Sequence, residues 1–235
     1  MSRKLLAHAG PVEQNDAAEL LEVFDARGRP TGRARTREAI HLDGDWHQTF
    51  HCWILRAGRG GREIVLQQRS PHKDTFASRW DAAAAGHWRF GESPEEAARE
   101  IAEELGLEVP FASLRYIGPE RQARHFPNGL IDREYHQVYA LVLERPLDRY
   151  RPDPAEVSAL AAFPWRGLIE LALGRHAALQ ASEAVRVEPS GALRPAVVEI
   201  RREDLVPYSA ARLRRLLRGN SRSLGRVLGK EKSHH

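Results

Sequence analysis

Sulfur is scarce in this chain of 235 residues, which has one cysteine and one methionine. The lone Cys52 excludes an intramolecular disulfide and fits a reducing cytoplasm. No apolar run approaches the roughly 18 residues that would span a bilayer, and no charged-then-apolar signal follows Met1. The sequence therefore predicts a soluble, cytoplasmic protein with no membrane partner. It has no internal repeat. What is present is ordinary for a globular chain, 42% apolar and 29% charged residues, long enough to bury a sizeable core as one large domain or as one domain with an extension.

The net charge of +4 is uneven. Residues 201–235 carry ten Arg or Lys against three acids, which leaves the first 200 residues slightly acidic. Arg212, Arg214, Arg215, Arg218, Arg222 and Arg226 interleave with leucines and Val227, the pattern of an amphipathic basic helix ending in a loose tail. Such a segment can attract nucleic acid, but no aromatic stacking platform accompanies it, and a docked helix with a solvated outer face is the expectation. His234 and His235 read as a purification tag.

The chemistry is concentrated between Ala85 and Leu107, where six glutamates crowd one turn and one helix. Ser93 with Glu96 reads as a capping box, Pro94 suits the first helical position and Gly106 the end, so one helix is expected from about Pro94 to Leu105. Ala97, Ile101 and Leu105 form its apolar side. Glu96, Glu100, Glu103 and Glu104 fall on one strip, where like charges cost an isolated helix roughly 0.2–0.5 kcal/mol per pair. Arg99 alone compensates locally. Carboxylates at this density are either a solvated acidic face or the ligand set of a hard divalent cation, Mg²⁺ with Mn²⁺ as substitute.

The stretch resembles the Nudix box: a Gly, five residues, Glu, a spacer, Arg-Glu-apolar-any-Glu-Glu-any-Gly-apolar. Gly86, Glu92, Arg99, Glu100, Ile101, Glu103, Glu104, Gly106 and Leu107 match. The spacer between Glu92 and Arg99 has six residues where the family has seven. The resemblance implies an α/β/α sandwich with a mixed β-sheet and a metal held by Glu100, Glu103, Glu104 and the Ala85 carbonyl. Gly86, Glu92, Arg99 and Gly106 are then the structural positions of the box.

Beyond the box, His41 to His47, Phe50 to Ile54, Leu66 to Ser70, Lys73, Phe76 and Ala85 to His87 are similar to the branch that contains type I isopentenyl diphosphate isomerases. They are equally similar to the Nudix domain that plants fuse to a dipeptidyl peptidase. The isomerases build a metal site at positions matching His41, His47, His87, Asp132 and Glu134, with the His41 to His47 spacing one shorter here. The resemblance thus offers a second metal or phosphate site, and a surface or packing role is the alternative. The isomerases also place an acid/base cysteine immediately before the box Gly. Here that residue is Ala85, whose methyl group transfers no proton.

The expected activity is therefore Mg²⁺-dependent hydrolysis of a diphosphate linkage in a small substrate, isopentenyl or dimethylallyl diphosphate or a nucleoside diphosphate derivative. A binding or regulatory module with impaired catalysis is the alternative, and isomerase activity is third. Glu103, Glu104 and Glu134 are the candidate catalytic groups, with Glu104, Glu134 or Glu156 as base, and Arg69 and Lys73 the phosphate binders. Five tryptophans could line a pocket, though core positions are commoner. A monomer or homodimer is equally compatible with the sequence.

Along the chain, residues 1–18 read as a flexible lead, 19–218 as the Nudix domain and 219–235 as the basic tail. Strands are expected at 20–25, 49–56, 63–69, 81–85, near 114–119, at 134–143 and at 157–165. A helix is expected at 168–179, an inserted hairpin at about 182–201 and a last helix at about 209–218.

Overall fold

The computed structural model describes residues 18–208. The lead, the last helix and the basic tail read from the sequence lie outside the described residues. Leu20–Phe24 (β1) pairs antiparallel with Pro30–Thr36 (β2). A short helix follows at Arg37–Asp43 (α1), capped by the Thr36 hydroxyl at its start and by Gly44 at φ +69° at its end. Neither β2 nor α1 was expected. The former is an exposed, polar edge strand without alternation, and the latter buries only Ile40.

The longest strand, Trp46–Gly58 (β3), turns at Gly58–Gly61 into Gly61–Arg69 (β4) as the sequence predicts. These two strands pair only near their turn, over Ile54–Gly58, and then separate. The gap is filled by two short strands, Trp80–Asp81 (β5) on β4 and Ala84–His87 (β6) on β3, where one strand at 81–85 was expected. The wedge delivers the box to the centre of the sheet.

After β6 come Pro94–Ala97 (α2) and Glu100–Leu105 (α3), not one continuous helix. Between them the chain makes i→i−3 hydrogen bonds, Arg99 to Glu96, Ile101 to Ala98 and Ala102 to Arg99. A tightened turn of this kind uses fewer residues per revolution than an α-helix. This tight turn lies at the end of the six-residue spacer. As a result Glu96 leaves the acidic strip: it is exposed and closes the capping box on Ser93.

Arg115–His125 (β7) and Ile131–Val142 (β8) form an antiparallel pair, and β8 lies parallel to β3 over ten matched positions, Trp46↔Arg133 to Leu55↔Val142. Val157–Pro164 (β9) covers the other edge of β4 and leads into Trp165–Ala172 (α4). That helix starts earlier and ends earlier than the expected 168–179, and Leu179–Gln180 is a strand (β10). The expected hairpin is present as Glu183–Val187 (β11) and Leu193–Pro195 (β12), but β11 extends the main sheet by pairing with β9, and Glu199–Ile200 (β13) pairs with β10.

Alternation along β3 and β4 divides the core between two faces. Trp53, Leu55, Ile64 and Leu66 pack with Phe163, Leu168 and Leu171 under α4. Phe50, Cys52, Ile54 and Val65 pack with Ala97, Ile101 and Leu105 under α2 and α3. Each face of the mixed sheet is thus covered by helix, an α/β/α sandwich. Burying a Leu or Ile contributes about 1.5–3 kcal/mol, so Ile101 and Leu105, both fully buried, anchor the acidic helix to the sheet. No helix of the described residues is long and apolar enough to cross a membrane.

Gly106 ends α3 at φ +61°, and a Cβ there would lie 2.4 Å from the Arg151 carbonyl oxygen. Gly106→Ala therefore combines left-handed strain with a backbone clash, an expected loss of about 2–3 kcal/mol. Thermal unfolding should show a Tm lower by roughly 5–10 °C; an unchanged Tm would show that this approach is not a tight one.

Candidate functional site

The wedge between β3 and β4, the start of α1 and the polar halves of β3 and β8 surround one cleft of about 960 Å³. His41, Arg69, Lys73, Ala85, Gly86, His87, Arg99, Glu100, Glu103, Glu104, Asp132, Glu134 and Glu156 all line it, so residues read separately from the sequence come together. His47 is fully buried beside it. Trp46, Trp53, Trp80 and Trp165 are buried in the core, and Trp88 donates to the Glu92 carbonyl oxygen. None of the five tryptophans lines this cleft.

The acidic side is built on α3. Arg99 Nε is 2.8 Å from Glu92 Oε1, so these two box positions meet despite the shortened spacer. The same guanidinium reaches Glu100 at 2.5 Å and Glu103 at 2.7 Å, and donates to the His87 carbonyl oxygen at 3.2 Å. The carboxyl of Glu100 packs directly over Gly86, where an added Cβ would lie 2.1 Å from it. Glu104 accepts from Gln67 Nε2 and the Ala85 amide, each at 2.8 Å.

Burial pushes the Glu100 carboxyl well above the usual carboxylate range; Arg99 opposes this, and Glu104 and Glu103 add to it. Burial raises Glu104 too, against Lys73, the Ala85 amide, Arg69 and Gln67. These are groups whose ionised forms a cation would relieve. A cation bound there would displace protons, so its affinity would fall as pH drops through the raised range and level off above it. The half-saturating Mg²⁺ concentration, read by calorimetry, should rise about tenfold per pH unit for each proton displaced. A pH-independent affinity would contradict this electrostatic picture.

The histidine side is built on two strands. His47, Thr49 and His51 occupy alternate positions of β3, Asp132, Glu134 and His136 alternate positions of β8, and the parallel register sets His47 opposite Glu134 and Thr49 opposite His136. His41 from α1 and His87 from β6 complete the group, with ring centroids of His41, His47 and His87 5.0–5.3 Å apart. His41 Nε2 and His47 Nε2 each lie 3.8 Å from Asp132 Oδ1, and His47 Nε2 lies 3.8 Å from Glu134 Oε1. Both His47 Nε2 and Asp132 Oδ1 are buried without a hydrogen-bond partner, the costly state that a shared cation resolves.

Burial holds His41 down at about 4, with Arg37 adding to the effect, and His47 down at about 3; His87 is also well below its ordinary value for the same reason. Burial lifts Asp132 to about 6 against three arginines. Neutral imidazoles beside two carboxyls suit a divalent cation of borderline softness better than a phosphate anion.

Arg69 Nη1 is 3.3 Å from Asp81 and its Nε donates to the Thr75 carbonyl oxygen at 3.2 Å. Lys73 pairs with Glu156. Among the lining residues that the sequence did not single out are Arg37, His51 and His136. The last two were legible in principle, since they continue the period-two polar stripes of His47 and Glu134. Arg37 sits one turn before His41 on the helix that was not expected. Cys52 is fully buried on the face under α2 and α3, and burial pushes its thiol up, so it does not stand in for the missing cysteine at Ala85.

Residues 45–184 match the model of the NUDIX domain. A Nudix hydrolase of Clostridium acetobutylicum is 35% identical over 142 residues, 60% of this chain and 68% of that protein. Nudix hydrolase 3 of Arabidopsis thaliana is 33% identical over 63% of this chain, which spans only 20% of that longer protein. An isopentenyl-diphosphate Delta-isomerase of Mycolicibacterium vanbaalenii is 31% identical over 65% of this chain and 81% of its own length.

Proposed function

We propose, from the premise that the chain belongs to the Nudix family of hydrolases, that it splits the pyrophosphate linkage of a small organic diphosphate with the help of Mg²⁺. The first candidates are isopentenyl and dimethylallyl diphosphate, followed by nucleoside diphosphate derivatives. The observation that carries this reading is the meeting of three carboxylates, Glu100, Glu103 and Glu104, with Arg37, Arg69 and Lys73 around one cleft.

In this reading Glu100, Glu103, Glu104 and the Ala85 carbonyl hold Mg²⁺, and His41, His47, His87, Asp132 and Glu134 hold a second divalent ion. Bound there, such cations neutralise charge on phosphoryl oxygens and make a water easier to deprotonate. Gln67 and the Ala85 amide orient Glu104, and Arg99 gathers Glu92, Glu100 and Glu103 so that their mutual repulsion is offset. Arg69 and Lys73 grip phosphate oxygens, the guanidinium in fork geometry and the ammonium as a point charge. Both cations are already placed by acids, Asp81 and Glu156, which a phosphate would displace or join.

Glu104 is favoured as the base over Glu134 and Glu156. Glu156 is committed to Lys73 and Glu134 lies among the histidines, whereas Glu104 sits within electrostatic reach of both phosphate binders, Lys73 and Arg69. The binding-module alternative arises from the short spacer, and the Glu92 to Arg99 contact at 2.8 Å counts in favour of the hydrolytic reading. Isomerisation lacks its proton donor at Ala85. Isopentenyl diphosphate incubated with the protein and Mg²⁺ and followed by NMR should lose phosphate with no allylic isomer formed; accumulation of the allylic isomer would overturn the hydrolytic reading.

A further inference from the structure

We infer that His136 and His51 form an imidazole relay behind Glu134 that holds this carboxylate in position, which makes His136 a positioning residue. The inference rests on the reading that Glu134 belongs to the histidine-side cation site. His51 Nε2 and His136 Nδ1 are 2.6 Å apart with their rings perpendicular, at 88°. On its other side His136 Nε2 lies 3.4 Å from Glu134 Oε2. Thr49 Oγ1 is 3.0 Å from the same Nδ1. The two hydrogen-bonding partners of His136, His51 and Thr49, come from β3, and the Glu134 carboxylate 3.4 Å from its other nitrogen comes from β8; the strands are in parallel register, so the sheet itself sets their spacing.

The proton order follows from donor and acceptor chemistry. A carboxylate only accepts, so the nitrogen that meets Glu134 must carry hydrogen. In a neutral imidazole the other nitrogen is then an acceptor, and His136 Nδ1 takes a hydrogen from His51 Nε2 or the Thr49 hydroxyl. The chain runs His51 to His136 to Glu134. Each link fixes the tautomer of the next.

The distances separate the His51–His136 nitrogen pair from a pair of ligands on one ion, while the Glu134–His136 contact at 3.4 Å is left to the titration below. Two ligand atoms on one ion, each about 2.1 Å from it at tetrahedral or octahedral angles, stand about 3.0–3.4 Å apart. Ring nitrogens at 2.6 Å are closer than that and are in hydrogen-bond contact. Around His47, by contrast, the facing atoms stand 3.8 Å apart with His47 Nε2 and Asp132 Oδ1 unpartnered, too long for hydrogen bonds and open to an ion. Glu134 belongs to both groups: its Oε1 faces His47 and its Oε2 faces His136. Partners behind a ligand set its orientation, and their loss typically costs about 10–100-fold in metal affinity.

The test is a Co²⁺ titration of the full-length protein in excess Mg²⁺, followed by calorimetry and by the visible spectrum of the bound ion. His136→Phe should weaken Co²⁺ binding by about 10–100-fold and change the spectrum, with the same number of ions bound at saturation. In His136→Gln the amide nitrogen replaces Nε2 as donor to Glu134, and affinity should return towards the wild-type value. Melting curves of both variants identify any loss of fold. If both variants bind Co²⁺ like wild type, the relay is wrong. If His136→Phe loses a whole equivalent of Co²⁺ at saturation, His136 is itself a ligand and the relay is equally wrong. Should His47→Ala also bind Co²⁺ normally, it is the cation site that fails, which is a distinguishable outcome.

Discussion

Glu104→Gln should lower the Mg²⁺-dependent turnover number by about a thousandfold while leaving the protein folded. The carboxylate lies at the junction of the helix α3 and the wedge, bonded to Gln67 and the Ala85 amide, and it faces the cleft beside Glu100. Gln is nearly isosteric, so packing survives. What is lost is the negative charge and the proton acceptor, and charge stabilisation of this kind is worth several kcal/mol; about 4 kcal/mol corresponds to three decades in rate. Because burial raises the acid and makes its ionised form costly, the variant should melt at the same temperature or higher. Steady-state kinetics with a melting curve checks both halves, and retention of more than a tenth of the activity would remove Glu104 from the catalytic machinery.

Gly86→Ala carries the second large effect, and by another route. The added methyl carbon would lie 2.1–2.4 Å from all three carboxyl atoms of Glu100, closer than any real contact. Glu100 is nine-tenths buried among Arg99, Glu103 and Glu104, so it has little room to retreat. Either the carboxylate swings off its position or β6 shifts away from β3, to which Gly86 is paired through Phe50. Both outcomes would disturb the proposed cation site, and activity should fall by at least about a hundredfold, as expected for an ångström-scale misplacement. Overpacking should add a stability loss of about 1–3 kcal/mol. The double variant Gly86→Ala with Glu100→Ala removes the clash and should recover the melting temperature but not the activity. Failure to recover stability would mean that the Gly86 requirement lies elsewhere.

These residues were legible before the fold because their signals are local. A capping box at Ser93, a glycine turn at Gly58–Gly61 and alternating apolar positions in β8 each depend on neighbours close in sequence. The box motif likewise fixes Glu100, Glu103 and Glu104 relative to one another. Two kinds of feature did not announce themselves. The first is elements whose stability comes from partners far along the chain. β2 is polar and exposed, yet it is held by β1; α1 is short, yet its single buried residue Ile40 joins Leu21 and Val23 in a small cluster. The second is geometry that departs from a regular helix. A pattern read at 3.6 residues per turn carries Glu96 onto the acidic strip, whereas the tight turn at Ala98 and Arg99 turns it away.

The histidine side marks the boundary between the two. Its first members followed from the family resemblance at His41, His47 and His87, but their meeting with His51 and His136 depends on β3 and β8 lying parallel in one register. A parallel pair joins strands distant in sequence, here with the hairpin, the box and β7 between them. Local periodicity could mark the polar stripes on each strand, and only the sheet could put one against the other.

The most direct test of the account is phosphate and pyrophosphate release with and without Mg²⁺ from isopentenyl and dimethylallyl diphosphate, nucleoside diphosphates and nucleotide sugars, with Glu103→Gln run in parallel. One class should be turned over, turnover should require the cation, and the variant should be strongly impaired even though Arg99 and the fold remain. Tight binding of a member of the panel with no turnover, unchanged by Glu103→Gln, would contradict it and make the cleft a binding site instead of an active one.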